Sequence, residues 1–323
     1  MTGVLRVIDP GLHATVQDSG RLGWRRFGVS VSGAMDPPAL ALANILAGNP
    51  PDGAAVEFAQ TGGTWQIDTE SCRIAVTGGS FSVSADGAPL APWHSHTLRR
   101  GQRLTIGGAR DAMWGYLAVA GGFAIAAQLG SRATHVRSGI GGRRIEAGDA
   151  LPLGLERAPA GREHFVPPLR WTPGPIRVVL GPQADYFAPE TIAAFLAATW
   201  RVGHRGDRMG VWLDGPPIAH ARGFNLVSDG LVAGCIQVPG SGQPVVLLMD
   251  CQTAGGYPKL ATVITPDLPR LAQSRSGTRL RFAAIDVEAA QQLYRAYHAV
   301  FATPTRALRV APGPPPWESW FGG

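Results

Sequence analysis

The sequence predicts a mainly β protein made of two similar halves. Three observations point there. Short apolar runs recur along the chain between turn residues, and the 323 residues include 43 glycines and 27 prolines, a pattern of many short strands rather than long helices. A proline-rich, weakly periodic segment at residues 158–175 divides the chain nearly in the middle and reads as a linker. On either side the order repeats as strand, turn, helix and further strands. Each half also carries a polar, glycine-containing loop, residues 28–36 in the first and 203–210 in the second. The expected organisation is one domain over residues 1–160, a second over 161–310 and a Pro-rich tail over 311–323.

In the first half, Leu5–Ile8 is read as a strand. Asp36 then caps a helix through Ala47: Pro37 suits the first turn, Leu40, Leu42, Ile45 and Leu46 give it an apolar face, and Gly48 ends it. Cys72–Val76, Arg103–Ile106 and Tyr116–Ala120 follow as strands. The second half opens with the strand Ile176–Leu180 and a helix from Pro189 to Trp200. Val245–Met249, Leu260–Ile264 and Arg279–Ala284 are strands, the first of them entered through a hairpin at Gly240–Gln243. A last helix begins at Asp286 and sets Leu293, Tyr297 and Val300 on a core-facing stripe. Residues 311–323 read as an extended or disordered end.

The chain is 45% hydrophobic and 16% charged, which suits a folded globular protein and argues against disorder. Its formal charge of +6 raises the question of nucleic acid. Arg21, Arg25 and Arg26 flank Trp24 and Phe27, but Arg99–Arg100 and Arg143–Arg144 are isolated pairs and no nucleic-acid motif frames any of them. The arginines are better assigned to solvated surface, an anionic substrate or an acidic partner. Cys72, Cys235 and Cys251 make neither an even set nor a CxxC pair, which fits a reducing compartment. With no signal-peptide pattern and no apolar run long enough to span a bilayer, the expectation is a cytoplasmic protein that binds neither membrane nor nucleic acid.

Several site classes are excluded. No GxxxxGK[ST] is present, and Gly139-Ile140-Gly141-Gly142 fails the dinucleotide fingerprint. His94-Ser95-His96 has no supporting carboxylate or cysteine, so no metal site is expected. Ser30 and Ser32 do not fit a nucleophile elbow. The signal that stands out is the lone lysine: of 29 lysines and arginines only Lys259 is a lysine. It follows Asp250, Gln252, Thr253, Gly255, Gly256 and Tyr257 in a turn-rich segment between two buried strands, which is expected to gather these residues at one end of the pair. Gln237 is expected to face the same cleft. Ser32 and Asp36 lead into a helix N-terminus that favours an anion, although an ordinary N-cap explains Asp36 equally. Arg208, beside Asp207, is suited to clamping a carboxylate or phosphate, with a local ion pair as the alternative.

The stretches DSGRLGWRRFGVSVSGAMD (18–36), NILAGNPPDGAAVEF (44–58), YLAVAGGF and LGSRAT (within 116–134), DRMGVWLDG (207–215) and GCIQVPGSGQPVVLLMDCQTAGGYPKLATVI (234–264) resemble the biotin-dependent carboxyltransferase-like family called allophanate hydrolase subunit 2. That family includes the C subunit of 5-oxoprolinase and the carboxyltransferase part of urea carboxylase. The resemblance runs from about Val4 to Phe301. It implies two tandem cyclophilin-like β-barrels with a few helices, a cleft between them, and partners like the B and A subunits of 5-oxoprolinase. The activity it implies is a share in ATP-dependent opening of 5-oxoproline to glutamate, with no cofactor bound by this chain alone and ATP used in the complex. The alternatives are carboxyl transfer from biotin on a separate carrier, in a urea carboxylase or allophanate hydrolase type of system, and a regulatory module antagonising a kinase inhibitor. Within this resemblance Lys259 would hold a carboxylate or oxyanion, Asp250 would orient it or the substrate N–H, and Tyr257, Gln237, Gln252 and Thr253 would donate or accept hydrogen bonds. Gly255 and Gly256 would allow close approach, and Arg208, Ser32 and Asp36 would contact substrate.

Overall fold

Two antiparallel sheets enclose the first core. In the computed structural model, which describes residues 3–169, 171, 173–301, 305 and 308–310, one sheet runs in the order Ala150–Pro152, Val4–Asp9, Thr61–Asp68, Arg103–Gly108, Val83–Ala85, Ala88–Leu90. The other runs Ala14–Gln17, Ala55–Ala59, Trp114–Val119, Ser71–Thr77, Ser95–Arg99. Side chains alternate across each strand. Leu117 and Val119 therefore join Val56, Phe58, Trp65 and Leu104 between the sheets. Tyr116 and Ala118, with Ala55 and Ala75, face the other way, onto the helix Pro37–Ala47. Asp36 caps that helix by accepting from Ala39 N (3.1 Å), and Gly48 ends it in the left-handed conformation.

The second half forms an eight-stranded sheet, in the order Arg279–Leu280, Trp200–Gly206, Gly210–Asp214, Val245–Leu247, Cys235–Gln237, Lys259–Val263, Ile176–Leu180, Phe282–Ala284. The two edge strands are separated in sequence by Arg281 alone, so the edges must meet and the sheet curls into a nearly closed barrel. Its core holds Val178, Leu213, Ile236, Val246 and Leu260. Phe195, on the helix Pro189–Ala197, stacks against Phe282 at 4.9 Å. Met35, Ala59 and Trp114 of the first half are packed into this same core. The two halves thus share apolar contacts.

Three expectations change. The helix from Pro189 stops at Ala197, and Trp200 begins a strand instead. The last helix, Val287–Phe301, does start at Asp286, whose carboxylate accepts from Ala289 N (2.7 Å). Its stripe is only half-buried at Leu293 and Tyr297, and a groove of about 430 Å³ lined by Val179, Val263, Val287 and Tyr294 opens along the helix. The side chain of Val300 and the whole of residues 311–323 lie outside the described residues.

The third change concerns the site. Val245–Leu247 and Lys259–Val263 are not paired with each other; each is antiparallel to Cys235–Gln237, which lies between them. They therefore run parallel, and parallel neighbours require the connecting chain to cross from one end of the sheet to the other. Asp250 lies past the C-terminal end of one strand and Lys259 opens the N-terminal end of the other. Instead of gathering these residues, the intervening segment separates them.

Candidate functional site

The two polar glycine-containing loops meet where the halves join. Gly33 has φ +86, and a Cβ there would come within 2.9 Å of Gly20 N, so only glycine lets the 28–36 loop fold this tightly. Ser32 N donates to Met249 O (3.1 Å) and Ser30 Oγ to Cys251 O (2.8 Å), tying the loop to the second half. Ser32 itself is buried with its Oγ unpartnered.

At the centre is Arg208, supplied by the tight turn between the strands Trp200–Gly206 and Gly210–Asp214. Its guanidinium grips Asp250 through two bonds, Nε to Oδ2 at 2.9 Å and Nη2 to Oδ1 at 3.0 Å. It also donates to Gly33 O (2.7 Å) and to the Glu57 carboxylate. Glu57 is wholly buried in the middle of an apolar strand, and its second oxygen accepts from Met35 N and Tyr116 Oη, both at 2.8 Å. Burial disfavours the charge on Arg208, but Glu57 and Asp250 outweigh it and hold the guanidinium above its ordinary range. Glu57 is pushed upward by burial, with Arg208 pulling against that. A fork donor is needed here, since one ammonium could not bond two carboxylates and a carbonyl in this geometry.

A second polar link runs through Asp36. Tyr116 Oη accepts from Asp36 N (2.7 Å), and the Asp36 carboxylate accepts from Gln273 Nε2 (2.9 Å) of the second half. Gln273 Oε1 in turn accepts from Met113 N and Trp114 N. Asp36 is therefore a structural cap and a tie between the halves, and burial raises its pKa to about 6. A raised folded value means the protonated form favours the fold. That contribution is complete below the unfolded carboxyl range and is lost as pH rises through about 6. We expect the stability difference between wild type and Asp36→Asn to shift toward wild type as pH is lowered from 7 to 4, read from urea midpoints.

Beside Arg208 and Asp250 opens a cleft of about 430 Å³. Leu12, His13, Trp114, His135, Arg137 and Arg144 of the first half line it, with Asp207, Met209, Arg208 and Asp250 from the second. An adjoining hollow of about 250 Å³ adds His204, Arg275 and Ser276. His135 Nε2 lies 3.3 Å from the Asp250 carbonyl and Nδ1 lies 2.6 Å from Ser138 Oγ. A carbonyl can only accept, so Nε2 is the donor in the first of these contacts. The cleft carries Arg137, Arg144 and Arg208 against Asp207 and Asp250, with two imidazoles and one indole face, and suits a small anionic molecule. Among the described residues no group of three or more His, Cys, Asp or Glu is placed to hold a metal ion. Nor is any helix long and apolar enough to cross a membrane.

Of the residues singled out in the sequence, Asp250 and Arg208 line this cleft. Lys259 does not. Its Nζ bonds the Asp229 carboxylate and Gly230 O (2.9 Å), and its backbone N donates to Gln183 Oε1 (3.3 Å). The hydrogen bond from Lys259 draws Asp229 down to about 2. Gln237 is buried and donates to Tyr257 O (3.5 Å) rather than facing Asp250. Thr253 O accepts from Leu231 N and Gly256 O from Leu226 N. A Cβ at Gly255 or Gly256 would strike Leu231 or Leu226 O, so these glycines serve the packing of loop 226–231. Gln252 and Tyr257 are exposed. We expect Lys259→Met to raise amide hydrogen exchange across 226–231 while moving turnover by no more than a few-fold.

The sequence reading missed Glu57, His13 and His135. A carboxylate inside the otherwise apolar run Ala55–Ala59 was the available signal for Glu57. The isolated histidines carried none.

The profile of the carboxyltransferase domain, subdomains A and B, matches residues 27–284. The chain belongs to that family. A 5-oxoprolinase C subunit from Escherichia coli (strain K12) is 36% identical over 290 residues, covering 89% of this chain and 93% of that protein. Urea amidolyase of Saccharomyces cerevisiae is 30% identical over 313 residues, covering 90% of this chain but 17% of that protein. The solved structure of TTHA0988 superposes with a TM-score of 0.79 at 36% identity, covering 87% of this chain and 56% of that one. Kluyveromyces lactis urea carboxylase superposes with a TM-score of 0.83 at 27% identity, covering 93% of this chain and 29% of that one. The chain thus spans about half of TTHA0988 and under a third of the urea carboxylase. The match to the carboxyltransferase family takes in Glu57, Trp114, His135, Arg208, Asp250 and Lys259, whereas His13 precedes it.

Proposed function

We propose that this carboxyltransferase-family chain is the C component of an ATP-dependent 5-oxoprolinase, and that the cleft beside Arg208 and Asp250 takes the 5-oxoproline ring. The observation that carries this reading is the extent of the match. The chain aligns with 93% of the E. coli 5-oxoprolinase component but with 17% of the yeast urea amidolyase. The cleft chemistry supports it: 5-oxoproline offers a carboxylate to Arg137 and Arg144 and a lactam N–H and C=O to the neighbouring polar groups. Arg208, committed to two buried carboxylates, would organise the floor rather than bind the substrate carboxylate itself. Proteins resembling the B and A subunits of 5-oxoprolinase would complete the enzyme, with ATP used in the complex and no cofactor held by this chain alone.

The fold match to the yeast urea carboxylase favours a second reading, carboxyl transfer with biotin delivered on a separate carrier. Reconstitution with partners resembling the 5-oxoprolinase A and B subunits separates the two. The first reading expects ATP-dependent glutamate release from 5-oxoproline, unaffected by avidin and independent of bicarbonate. Activity that avidin stops, or that requires urea and bicarbonate, would transfer the assignment to the second.

A further inference from the structure

His13 sits one residue before the strand Ala14–Gln17, with its carbonyl fixed by Ala59 N at 2.9 Å. Its ring packs edge to face with Trp114, centroids 6.2 Å apart at 85°. The Arg208 guanidinium carbon lies 6.0 Å from the same indole. His13 is thereby held in the cleft that Arg208 and Asp250 line. Its Nε2 is buried and has no hydrogen-bond partner. A buried nitrogen left unpaired is destabilising, and such groups call for an explanation in function.

We propose that Nε2 of His13 accepts a hydrogen bond from the amide N–H of the substrate bound in this cleft. The inference rests on the cleft being the substrate site. The charged groups facing the ring are Arg144 and Arg208 on one side of the balance and Asp250 and Asp207 on the other. Burial is the largest influence, the two arginines add to it, and together they bring His13 down to about 4, so the ring is uncharged near neutral pH. Nearby cations favour an unprotonated ring nitrogen over a further donor. The arginines already supply donors for a carboxylate or carbonyl. An uncharged ring nitrogen without a proton is an acceptor that an amide N–H can use.

The test compares wild type, His13→Phe and His13→Gln in the reconstituted complex, measuring 5-oxoproline affinity by calorimetry alongside KM and kcat. Phenylalanine keeps the contact with Trp114 but cannot accept. It should weaken binding by about tenfold, the scale of one lost hydrogen bond. Glutamine offers a carbonyl oxygen and should recover most of that loss. Equal affinity for wild type and His13→Phe, or a glutamine variant no better than phenylalanine with both proteins folded, would overturn the proposal. If the wild-type complex binds no 5-oxoproline, the substrate reading fails by itself. The same series with urea as the amide probe then decides His13: a loss confined to His13→Phe supports the acceptor, and no loss refutes it.

Discussion

Replacing Arg208 by methionine is expected to destabilise the protein by about 3–5 kcal/mol and to abolish activity of the assembled enzyme, the first effect being the usual result of removing one partner from a buried ion pair. Glu57 and Asp250 are both buried and share this one guanidinium. Without it, two carboxylates stay in the interior with their charges uncompensated, and the 28–36 loop loses its bond from Arg208 to Gly33 O. Arg208→Lys should rescue little, since it lacks the fork that reaches Asp250 twice. Adding Glu57→Gln to Arg208→Met should restore part of the stability, because it removes a buried charge left unpaired. Thermal melts of the four proteins check this. Equal melting temperatures for the single and double variants would show that burial of Glu57 is not what makes Arg208 necessary.

The second large effect is expected at Asp250. Asp250→Asn keeps the volume but removes the charge that holds Arg208 Nε and Nη2, and it sits where the His135 ring is anchored to the backbone. We expect turnover by the complex to fall by ~10²–10³, the scale seen when a preorganised polar group at a reacting centre is lost. The fold should persist, since Arg208 keeps Glu57 and Gly33 as partners. Steady-state kinetics with parallel melts reads this directly. A variant that turns over as fast as wild type would remove Asp250 from the working part of the cleft.

The contrast between Asp250 and Lys259 shows what the sequence carried and what it did not. The helix at 37–47 was legible because its signals are local: a capping carboxylate, a proline in the first turn, an apolar face and a terminating glycine. Strands such as Val4–Asp9, Ser71–Thr77 and Trp114–Val119 were legible for the same reason, whereas Arg279–Ala284, read as one strand, is two, Arg279–Leu280 and Phe282–Ala284. Which strands become neighbours is not local. Val245–Leu247 and Lys259–Val263 are close in sequence, yet Cys235–Gln237 inserts between them, and that one pairing sends Asp250 and Lys259 to different polar clusters. Arg208 and Asp250 stood out from sequence individually, while Glu57, the second carboxylate on Arg208 and 151 residues from it, could be joined to them only by the fold. His13 belongs to the same class. A single histidine ahead of a strand is unremarkable until the second half brings Arg208 and Asp250 up to it.

Hydrogen–deuterium exchange on the reconstituted complex, with and without saturating 5-oxoproline, tests most directly whether the cleft between the halves is the substrate site. The expected result is protection concentrated in residues 12–14, 113–114, 135–137 and 207–209, with the 226–231 and 252–257 loops around Lys259 unchanged. Protection confined to those two loops, with the cleft segments exchanging as before, would contradict the account and return the site to Lys259.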